Sequence, residues 1–442
     1  MSGLEATAGT ASPKLVDIVR SLPRFQHPSL RMVFDDALFL LCVSFGDRQR
    51  CMAVSWLQDR EVADLCIGKP PTRPIPLSAT VGEALLALRS AGADDRLAVW
   101  AADRAAPERR ACVGQVCMVD VICYLCAKEN LDAPCAALGA PVSAFLFPKA
   151  AAPLVRRVEP SSSILEALDA ILDGAQSLVV PIRAAASRRK LAGGGGSAEF
   201  CWLTQEDFLR FFLNSIALFS PVPALSVSDL GLVRPTALTV RHQDPALSAL
   251  PLIRAALTEQ TSVAVISNNG HLVGEISPST LAHLDERVAA GLVALSAGEL
   301  TAYIDCSGIP PEFATRSIRA RLREKGLLGM LELLEADFSP PFSPASSCSS
   351  SSSSSDDESS PSAAPSNCRR PRRLRSVGSY SARMGRQSEE AIVCHPWSSL
   401  VAVMIQASTH RVGYVWVVDD DYFLVGMVTL SDMLKVFREQ IA

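Results

Sequence analysis

The sequence predicts an α+β fold in which one β-α-β-β-α unit occurs four times and the units form two pairs. Two observations carry this prediction: the same order of short apolar strands and amphipathic helices recurs along the chain, and turn signals separate the last two strands of the unit. A sheet of three strands cannot bury its apolar face alone. We therefore expect the first unit to pair with the second over about 55–216, and the third with the fourth over about 221–442.

The C-terminal copy of the unit is the clearest. Asp419–Asp421 give a turn signal between two apolar strands, and the second strand leads through Thr429–Asp432 into the last helix. The predicted elements are, in order, a strand at 391–396, a helix at 397–408, strands at 412–418 and 423–428, and a helix at 433–440.

The third copy has the same order. A strand and a helical segment are predicted within 238–257, and the strands 262–266 and 272–276 are joined at Asn269-Gly270. Asn-Gly between apolar runs predicts a tight hairpin, because both central residues of its turn favour positive φ. After Ser277–Thr280 a further helix is expected.

The second and first copies each contain a helix start signal. Ser163 with Glu166, and Thr80 with Glu83, have the spacing of a capping box, in which each side chain hydrogen bonds to the backbone N–H of the other residue. In the second copy a strand at 177–182 follows. A Gly-rich loop then leads to a strand that ends at Thr204 and to a helix.

Two segments separate the third copy from the fourth. Residues 311–336 contain an amphipathic run that predicts a helix, and 339–388 contain 19 serines. The Ser-rich segment buries too little apolar area to offset its backbone entropy, so we expect it to be disordered. The predicted divisions are an N-terminal extension at 1–54, repeat units at 55–130, 131–216, 221–305 and 389–442, a helical connector at 306–338 and the insertion at 339–388.

Composition limits the class of protein. Hydrophobic residues make up 48% of the chain and charged residues 20%, which excludes disorder for the chain as a whole. The net charge of −4 argues against a general nucleic-acid or membrane-surface protein. The apolar run Ala37–Phe45 is too short to cross a bilayer, which needs about 20 residues. With no secretory signal recognised, the expected location is the cytoplasm, with the nucleus as a second location.

The cysteines and histidines argue against a metal site. Thirteen cysteines are an odd number, and they fit buried thiols in a reducing compartment better than a disulfide framework. Cys123 and Cys126 have no second pair at zinc-like spacing and are expected to pack in the core. The six histidines form no metal-binding pattern, so no metal ligand is expected.

The segment from Gly426 through Thr429 to Asp432, placed after two apolar strands and before a helix, resembles the end of a CBS (cystathionine-β-synthase) domain. Two such units side by side form a Bateman module. The phrase AVSWLQDREVADLCIGKPP at 53–71, together with the Ser-rich insertion, resembles the plant CBS-domain-containing proteins of the CBSX type. That group is similar in architecture to the γ regulatory subunit of AMP-activated protein kinase, which also carries four CBS units.

The resemblance implies adenosine-nucleotide sites where the motif residues are kept. A carboxylate at a helix start can accept hydrogen bonds from a ribose diol, and a Thr hydroxyl at the strand end faces the same cleft. The fourth copy keeps Thr429 and Asp432, the second keeps Thr204 and Asp207, and the first keeps Asp120 with Cys117 at the Thr position. The third has Thr280 in place of Asp. Arg411 resembles the phosphate-contacting residue but lies about three residues early.

Three functions remain open. The first is a non-catalytic regulatory module that binds AMP, ADP or ATP and modulates a partner such as a protein kinase, with no required cofactor. The second is a structural adaptor with decayed sites, since an Asp at a helix start is also an ordinary cap worth about 1 kcal/mol. The third, nucleic-acid binding through Arg369–Arg375, is disfavoured because such a tract is usually solvated and no aromatic residue interleaves it. No catalytic constellation is found, so no enzyme is expected.

The insertion contains two candidate phosphorylation sites. Ser355 is followed directly by acidic residues, and Ser376 lies three residues after Arg373. The segment 339–388 has a net charge of +4, and each phosphate adds about −1.5 to −2 at neutral pH. Three or so phosphates would therefore reverse its charge.

Deletion of Pro340–Arg386 is predicted to leave the melting temperature of the folded units nearly unchanged, because the segment adds no core. Differential scanning calorimetry of the full chain and the deletion variant measures this. A large loss of melting temperature would show that the segment is packed.

Overall fold

The structure is a computed structural model that describes residues 51–90, 95–102, 110–146, 154–182, 199–236, 238–305, 312–336 and 391–441. These residues contain four three-stranded sheets, each with one parallel and one antiparallel strand pair. This confirms the predicted α+β class with its small repeated sheets. Most of the N-terminal extension lies outside the described residues, as do the insertion 339–388 and its candidates Ser355 and Ser376.

The first repeat contains the capping box predicted from Thr80 and Glu83. The Thr80 N–H donates to Glu83 Oε2 at 2.7 Å, and the Glu83 N–H donates to Thr80 Oγ1 at 3.1 Å. These bonds fix the start of helix α2. The elements here are α1 (Val62–Leu65), β1 (Pro74–Pro76), α2 (Val81–Arg89), β2 (Arg96–Ala102), β3 (Arg110–Cys117), α3 (Met118–Leu125), α4 (Pro134–Ala137) and α5 (Ser143–Leu146).

The second repeat follows the same order. Ser163 accepts a hydrogen bond from the Glu166 N–H at 3.1 Å, which places the start of its first helix where the sequence predicts it. The loop between its two antiparallel strands, at 183–198, lies outside the described residues. The elements are β4 (Val155–Arg157), α6 (Ile164–Leu172), β5 (Ser177–Ile182), β6 (Glu199–Thr204) and α7 (Gln205–Asn214), followed by 3-10 turns at Ile216–Phe219 and Val222–Ala224.

The third repeat departs from the prediction at its turn and at its last helix. The hairpin forms, but only Gly270 has a positive φ, and its N–H donates to the Ser267 carbonyl at 3.1 Å. The helix after Ser277 is one turn long. The elements are β7 (Thr239–Arg241), a 3-10 turn at Ala246–Ala249, α8 (Leu250–Glu259), β8 (Val263–Ile266), β9 (Leu272–Ile276), α9 (Pro278–Leu281), α10 (Val288–Ala294) and α11 (Ala297–Asp305).

The connector forms two helices where the sequence predicted one. Helix α12 covers Glu312–Glu324 and α13 covers Leu328–Glu335. Between them Gly326 has a φ of 70°, a conformation that ends a helix, and the Leu327 N–H donates to the Leu322 carbonyl at 2.9 Å. Ile318 and Leu322 before this break, and Met330 and Leu333 after it, are buried in a core that includes residues of the first and third repeats.

The fourth repeat begins with a shorter strand than predicted. Its first helix starts three residues later than predicted, because Ser399 accepts a hydrogen bond from the Ala402 N–H and acts as the N-cap. The elements are β10 (Val393–Cys394), α14 (Leu400–His410), β11 (Tyr414–Val418), β12 (Leu424–Thr429) and α15 (Leu430–Ile441). No helix in the described ranges is both long and apolar enough to span a membrane.

The sheets face each other in the predicted pairs, first with second and third with fourth. In the first pair the rings of Trp100 and Phe200 lie 4.7 Å apart. In the second pair the His271 and Phe423 rings lie 4.2 Å apart, and the Leu272 N–H donates to the Tyr422 carbonyl at 3.2 Å. The buried residues between the first two sheets are Ala98, Val155, Val179 and Trp202.

The helices pack in a different combination, which the sequence pattern did not predict. Helices of the second and fourth repeats share one apolar core, and helices of the first and third repeats, with the connector, share another. Phe437 of α15 stacks on Phe212 of α7 at 4.8 Å and meets the edge of Phe219 at 5.0 Å. Each repeat therefore contacts one neighbour through its sheet and another through its helices.

A Phe437→Ala substitution is predicted to lower the free energy of unfolding by about 3–5 kcal/mol, because Phe437 is fully buried where the second and fourth repeats meet. Phe313 is 75% exposed, so Phe313→Ala should change it by less than about 0.5 kcal/mol. Urea unfolding measures both variants. Equal effects would show that the two repeats do not share this core.

Candidate functional site

The strongest candidate site lies where β12 ends and α15 begins. Thr429 Oγ1 donates to Asp432 Oδ2 at 2.6 Å and accepts from the Asp432 N–H at 3.2 Å. The Thr429 N–H lies 3.3 Å from the same Oδ2. The Asp432 carboxylate therefore caps the helix start through Oδ2, which is the ordinary capping role that the sequence left open as an alternative to ligand binding. Its other oxygen, Oδ1, takes no part in the cap.

The second repeat has the same arrangement at the junction of β6 and α7. The Thr204 N–H and Oγ1 donate to Asp207 Oδ2 at 2.7 and 3.0 Å. A shallow groove beside Asp207 is lined by residues of α1 and α7, including Asp64, Arg210 and Phe211. Both sequence-predicted Thr–Asp pairs are thus brought together by the local fold.

Each of these carboxylates also binds a basic side chain from a distant segment. Lys69 Nζ lies 2.7 Å from Asp207 Oδ1, and Arg234 pairs with Asp432 Oδ1. Neither cation is predicted from the motif. The signal that could have found them is positional: each is followed by Pro and lies five residues before the first strand of its pair of repeats, β1 or β7.

Lys69 and Arg234 lie on segments in which the chain passes from one repeat to its partner repeat. The segment before β1 packs on the second repeat, where the Val62 N–H donates to the Ser162 carbonyl at 2.9 Å. The segment before β7 packs on the fourth repeat, where the Val227 N–H donates to the Ser398 carbonyl at 2.9 Å. Both crossings bring a cation from one repeat to the carboxylate of its partner repeat.

The first and third repeats have incomplete versions of the site. Asp120 Oδ2 accepts from the Cys117 N–H at 2.8 Å, and burial raises the pKa of Asp120, opposed by hydrogen bonds from Cys117 and by the charge of Arg254. In the third repeat Ser277 hydrogen bonds to Ser279 at 2.7 Å, and Thr280 supplies no carboxylate. The uneven retention expected from the sequence is therefore reflected in the local geometry.

The two sites with complete Thr–Asp pairs are adjacent. Gln205, the first residue of α7, donates through Nε2 to Oγ of Ser431 in the first turn of α15, at 3.1 Å. Further along α15, Arg438 forms a double hydrogen bond to Asp169 of α6, at 2.7 and 3.1 Å. The starts of the two site helices are thus joined by a direct side-chain contact.

Strand register identifies the residues opposite each site. Tyr414 pairs with Thr429, Ser177 with Thr204, and Arg96 with Cys117. In the first pair of repeats these positions form a polar network: Arg96 donates to Ser177 at 3.2 Å, and Ser177 donates to Gln115 at 3.1 Å. Of these three positions opposite a site, only the one in the first repeat holds a cation, Arg96, and the site there is incomplete.

Gln176 connects this network to the third repeat through hydrogen bonds. Its Nε2 donates to the carbonyls of Leu257 and Thr258 at 2.9 and 2.7 Å, near the end of α8. Its own carbonyl accepts from Gln260 Nε2 at 2.7 Å. Gln176 thus satisfies helix-end carbonyls that would otherwise need another donor.

A carboxylate of the third repeat holds two aromatic residues of the fourth. Tyr414 Oη and Trp416 Nε1 donate to Glu275 Oε2 at 2.8 and 2.6 Å. Burial and the neighbouring Glu275 charge raise the pKa of Tyr414 well above its ordinary value, so the phenol stays protonated and remains a donor. This contact fixes the two sheets against each other.

The hydrogen bonds and the ion pair of the Thr429–Asp432 site do not include Arg411. It ends α14 in the left-handed conformation, with a φ of 52°, and is exposed. Its proposed contact with a phosphate stays a prediction.

The fold and the paired Thr–Asp junctions define the class of CBS-domain proteins with repeated units. The CBS domain family matches residues 389–439, the copy that keeps Gly426, Thr429 and Asp432. A curated relative, the CBS domain-containing protein CBSX5 of Arabidopsis thaliana, is 42% identical over 411 residues, 88% of this chain and 98% of that protein. The chain belongs to the CBSX-type family of CBS-domain-containing proteins.

Two further comparisons are more distant. The SNF1-related protein kinase regulatory subunit gamma-like PV42b of Arabidopsis thaliana is 22% identical, over 87% of this chain and 96% of that protein. A solved structure from Methanocaldococcus jannaschii, described in relation to γ-AMPK, is 15% identical with a TM-score of 0.48, and covers 86% of this chain and 100% of its own.

A Glu275→Ala substitution is predicted to lower the free energy of unfolding by about 1–3 kcal/mol, because Trp416 Nε1 loses its acceptor and Tyr414 Oη loses its charged one. Glu275→Gln keeps an acceptor oxygen and should cost less. Glu312, whose side chain is 89% exposed, provides the control Glu312→Ala. Urea unfolding followed by tryptophan fluorescence measures all three. A loss for Glu275→Ala no larger than the control would contradict the role of Glu275.

Proposed function

We propose that this protein is a non-catalytic regulatory module that binds an adenosine nucleotide, AMP, ADP or ATP, and modulates a partner protein. The observation that supports this is the pair of Thr–Asp junctions, Thr429–Asp432 and Thr204–Asp207, each with a basic side chain on the outer carboxylate oxygen. The acceptor suits a ribose diol and the cation suits a phosphate. No resident cofactor is needed for this function.

The acceptors of Asp432 limit how a diol can bind. A carboxylate has about four acceptor positions, and Thr429 and Arg234 already use three of them. A cis-diol needs two, so Arg234 must leave Oδ1 when ribose binds. The Arg234 side chain is 60% exposed whereas Asp432 is 4% exposed, so the cation can move while the carboxylate stays fixed. In its new position Arg234 would pair with the nucleotide phosphate.

A protein kinase is the partner class that the comparisons favour. The relative PV42b is named as a regulatory subunit gamma-like protein of the SNF1-related protein kinase, and it is similar over most of this chain. We propose a corresponding regulatory role here, in the cytoplasm and, through the basic tract Arg369–Arg375, also in the nucleus. Nucleic acid and membrane binding are not part of the proposal.

A structural adaptor is the second candidate function. In the first pair of repeats, the polar side chains opposite the candidate sites already hydrogen bond to one another: Gln115 donates to Gln176, and Ser177 donates to Gln115. Lys69 and Arg234 likewise neutralise the two carboxylates without any ligand. A protein in this state could act through its surfaces alone.

Isothermal titration of the full chain with AMP, ADP and ATP tests the proposal. Asp432→Ala removes the diol acceptor and should weaken binding by about 1.5–3 kcal/mol, or roughly 10- to 150-fold. Asp120→Ala is the matched control and should have a smaller effect, because Cys117 stands in place of its Thr. Unchanged affinity for Asp432→Ala with an intact fold would count against this site.

Arg234→Met separates the nucleotide site from the adaptor. If Arg234 moves from Asp432 to the phosphate, this variant should bind adenosine more tightly than the parent and ATP more weakly. No heat and no thermal shift with any of the three nucleotides at millimolar concentration would leave the adaptor as the function.

A further inference from the structure

The strand turns of the third and fourth repeats meet on one surface of the second pair of repeats. His271 and Phe423 form an antiparallel bridge, and beside it the Leu272 N–H donates to the Tyr422 carbonyl at 3.2 Å. The His271 and Phe423 rings lie 4.2 Å apart. The two turns therefore form one continuous surface, with the bridged rings at its centre.

A β-bulge exposes a valine on each of the two strands that meet at this bridge. The register of β8 and β9 shifts between Val265 and Ile266, which leaves Val273 as the extra residue of β9. Val425 is the extra residue of β12 in the same way. A bulge re-aims the side chain of its extra residue, and here Val273 is 54% and Val425 44% exposed. Each valine lies two residues beyond the bridged pair.

The turn of the fourth repeat exposes an aromatic side chain in a conformation that favours glycine. Tyr422 precedes the bridged Phe423 and has a φ of 63°, whereas the equivalent residue of the third repeat is Gly270, with a φ of 87°. Tyr422 and Phe423 are both exposed. With Val273 and Val425 they form an apolar surface, which we call the hairpin face. An apolar surface of this kind is typical of an interaction site.

Carboxylates border the hairpin face. Asp419 Oδ1 accepts hydrogen bonds from the N–H groups of Asp421 and Phe423 at 3.0 and 2.9 Å, which fixes the turn. Asp420 and Asp421 are exposed, and neither forms an ion pair with a residue in the described ranges. A segment that covers this face should therefore combine positive charge with apolar groups.

We propose that the basic tract Arg369–Arg375 of this chain docks on the hairpin face. The tract has five arginines and one leucine in seven residues, and it meets a turn with three carboxylates. A guanidinium group can pair with a carboxylate and can also stack on an aromatic ring, so it suits both the turn and the exposed rings of Tyr422 and Phe423. Leu374 suits the exposed valines.

The chain is long enough for the tract to reach this face. Residues 376–390 separate the tract from Ala391, where the described chain resumes before β10. Fifteen residues of extended chain span at most about 50 Å. Strand β10 pairs with β11 at Trp416, and the turn begins three residues further on at Asp419, about 10 Å along the strand. The connection therefore allows docking within one molecule.

Docking would make the arginines of the tract unavailable to another partner. A phosphate on Ser376, directly after Arg375, would add about −1.5 to −2 charge beside the tract and would weaken its attraction to the acidic turn. The hairpin face does not include Asp207 or Asp432, so this contact is independent of the proposed nucleotide sites.

Limited trypsin digestion of the full chain measures docking, because a docked tract is protected from the protease. Arg386 lies in the same segment but outside the tract, so cleavage after it is the internal reference for cleavage after Arg375. A synthetic peptide, Ser366–Glu390, gives the ratio of these two rates for a free tract. In the full chain we expect a ratio lower by roughly fivefold or more, and a rise toward the peptide value at high salt, which screens exposed charges.

Two variants of the turn should restore the ratio of the free peptide. Asp420→Asn with Asp421→Asn removes two charges without adding a trypsin site. Tyr422→Gly removes the exposed ring and places glycine where φ is positive, so the turn should still fold. The matched control is Glu129→Gln with Asp132→Asn, which neutralises two exposed carboxylates of the first repeat and should leave the ratio unchanged. Circular dichroism establishes that each variant is folded.

Three results would overturn the proposal. A ratio in the full chain equal to that of the peptide would show that the tract is free. Protection that increases with protein concentration would show that the tract of a second copy fills the face. Protection that neither turn variant removes would place the tract on another surface. The first two results are obtained from the parent chain, so they do not depend on the folding of any variant.

Discussion

Each sheet in this protein has two apolar faces and only three strands, so no repeat can bury both faces with its own residues. One face is covered by the sheet of the neighbouring repeat, as at Trp100 and Phe200. The other is covered by helices that pack on a repeat from the other pair, as at Phe212 and Phe437. The four units are therefore held in a closed arrangement in which the loss of one contact exposes parts of two cores.

The same constraint places the candidate sites. A strand must end and a helix must begin at the edge of each sheet, and the first N–H groups of that helix need acceptors. Asp207 and Asp432 meet this need with one carboxylate oxygen and leave the other exposed to a crossing segment. That oxygen attracts Lys69 or Arg234. Helix capping and the proposed ligand binding would use the same side chain, which is why the motif by itself does not separate a site from a cap.

Local signals were sufficient for much of the fold. The Thr80–Glu83 capping box and the hairpin at Gly270 are encoded within a few residues, and both were found where the sequence pattern predicted them, although the turn at Gly270 has a different geometry. The helix pairing between the second and fourth repeats was not predictable in this way, because an apolar helix face does not specify its partner. The cations at the sites were missed for a related reason: Lys69 lies well over 100 residues from Asp207, and only the crossing of the chain brings them together.

The contact between Gln205 and Ser431 joins the helix starts of the two complete Thr–Asp junctions. Each site includes the first turn of its helix, and these turns are joined at 3.1 Å. A ligand bound at Asp432 lies against the first turn of α15, and any movement of that turn either carries Gln205 with it or breaks the hydrogen bond. In both cases the environment of Asp207 changes. Coupling between two sites requires a shared element with more than one arrangement, and the joined helix starts are an element that the two junctions share.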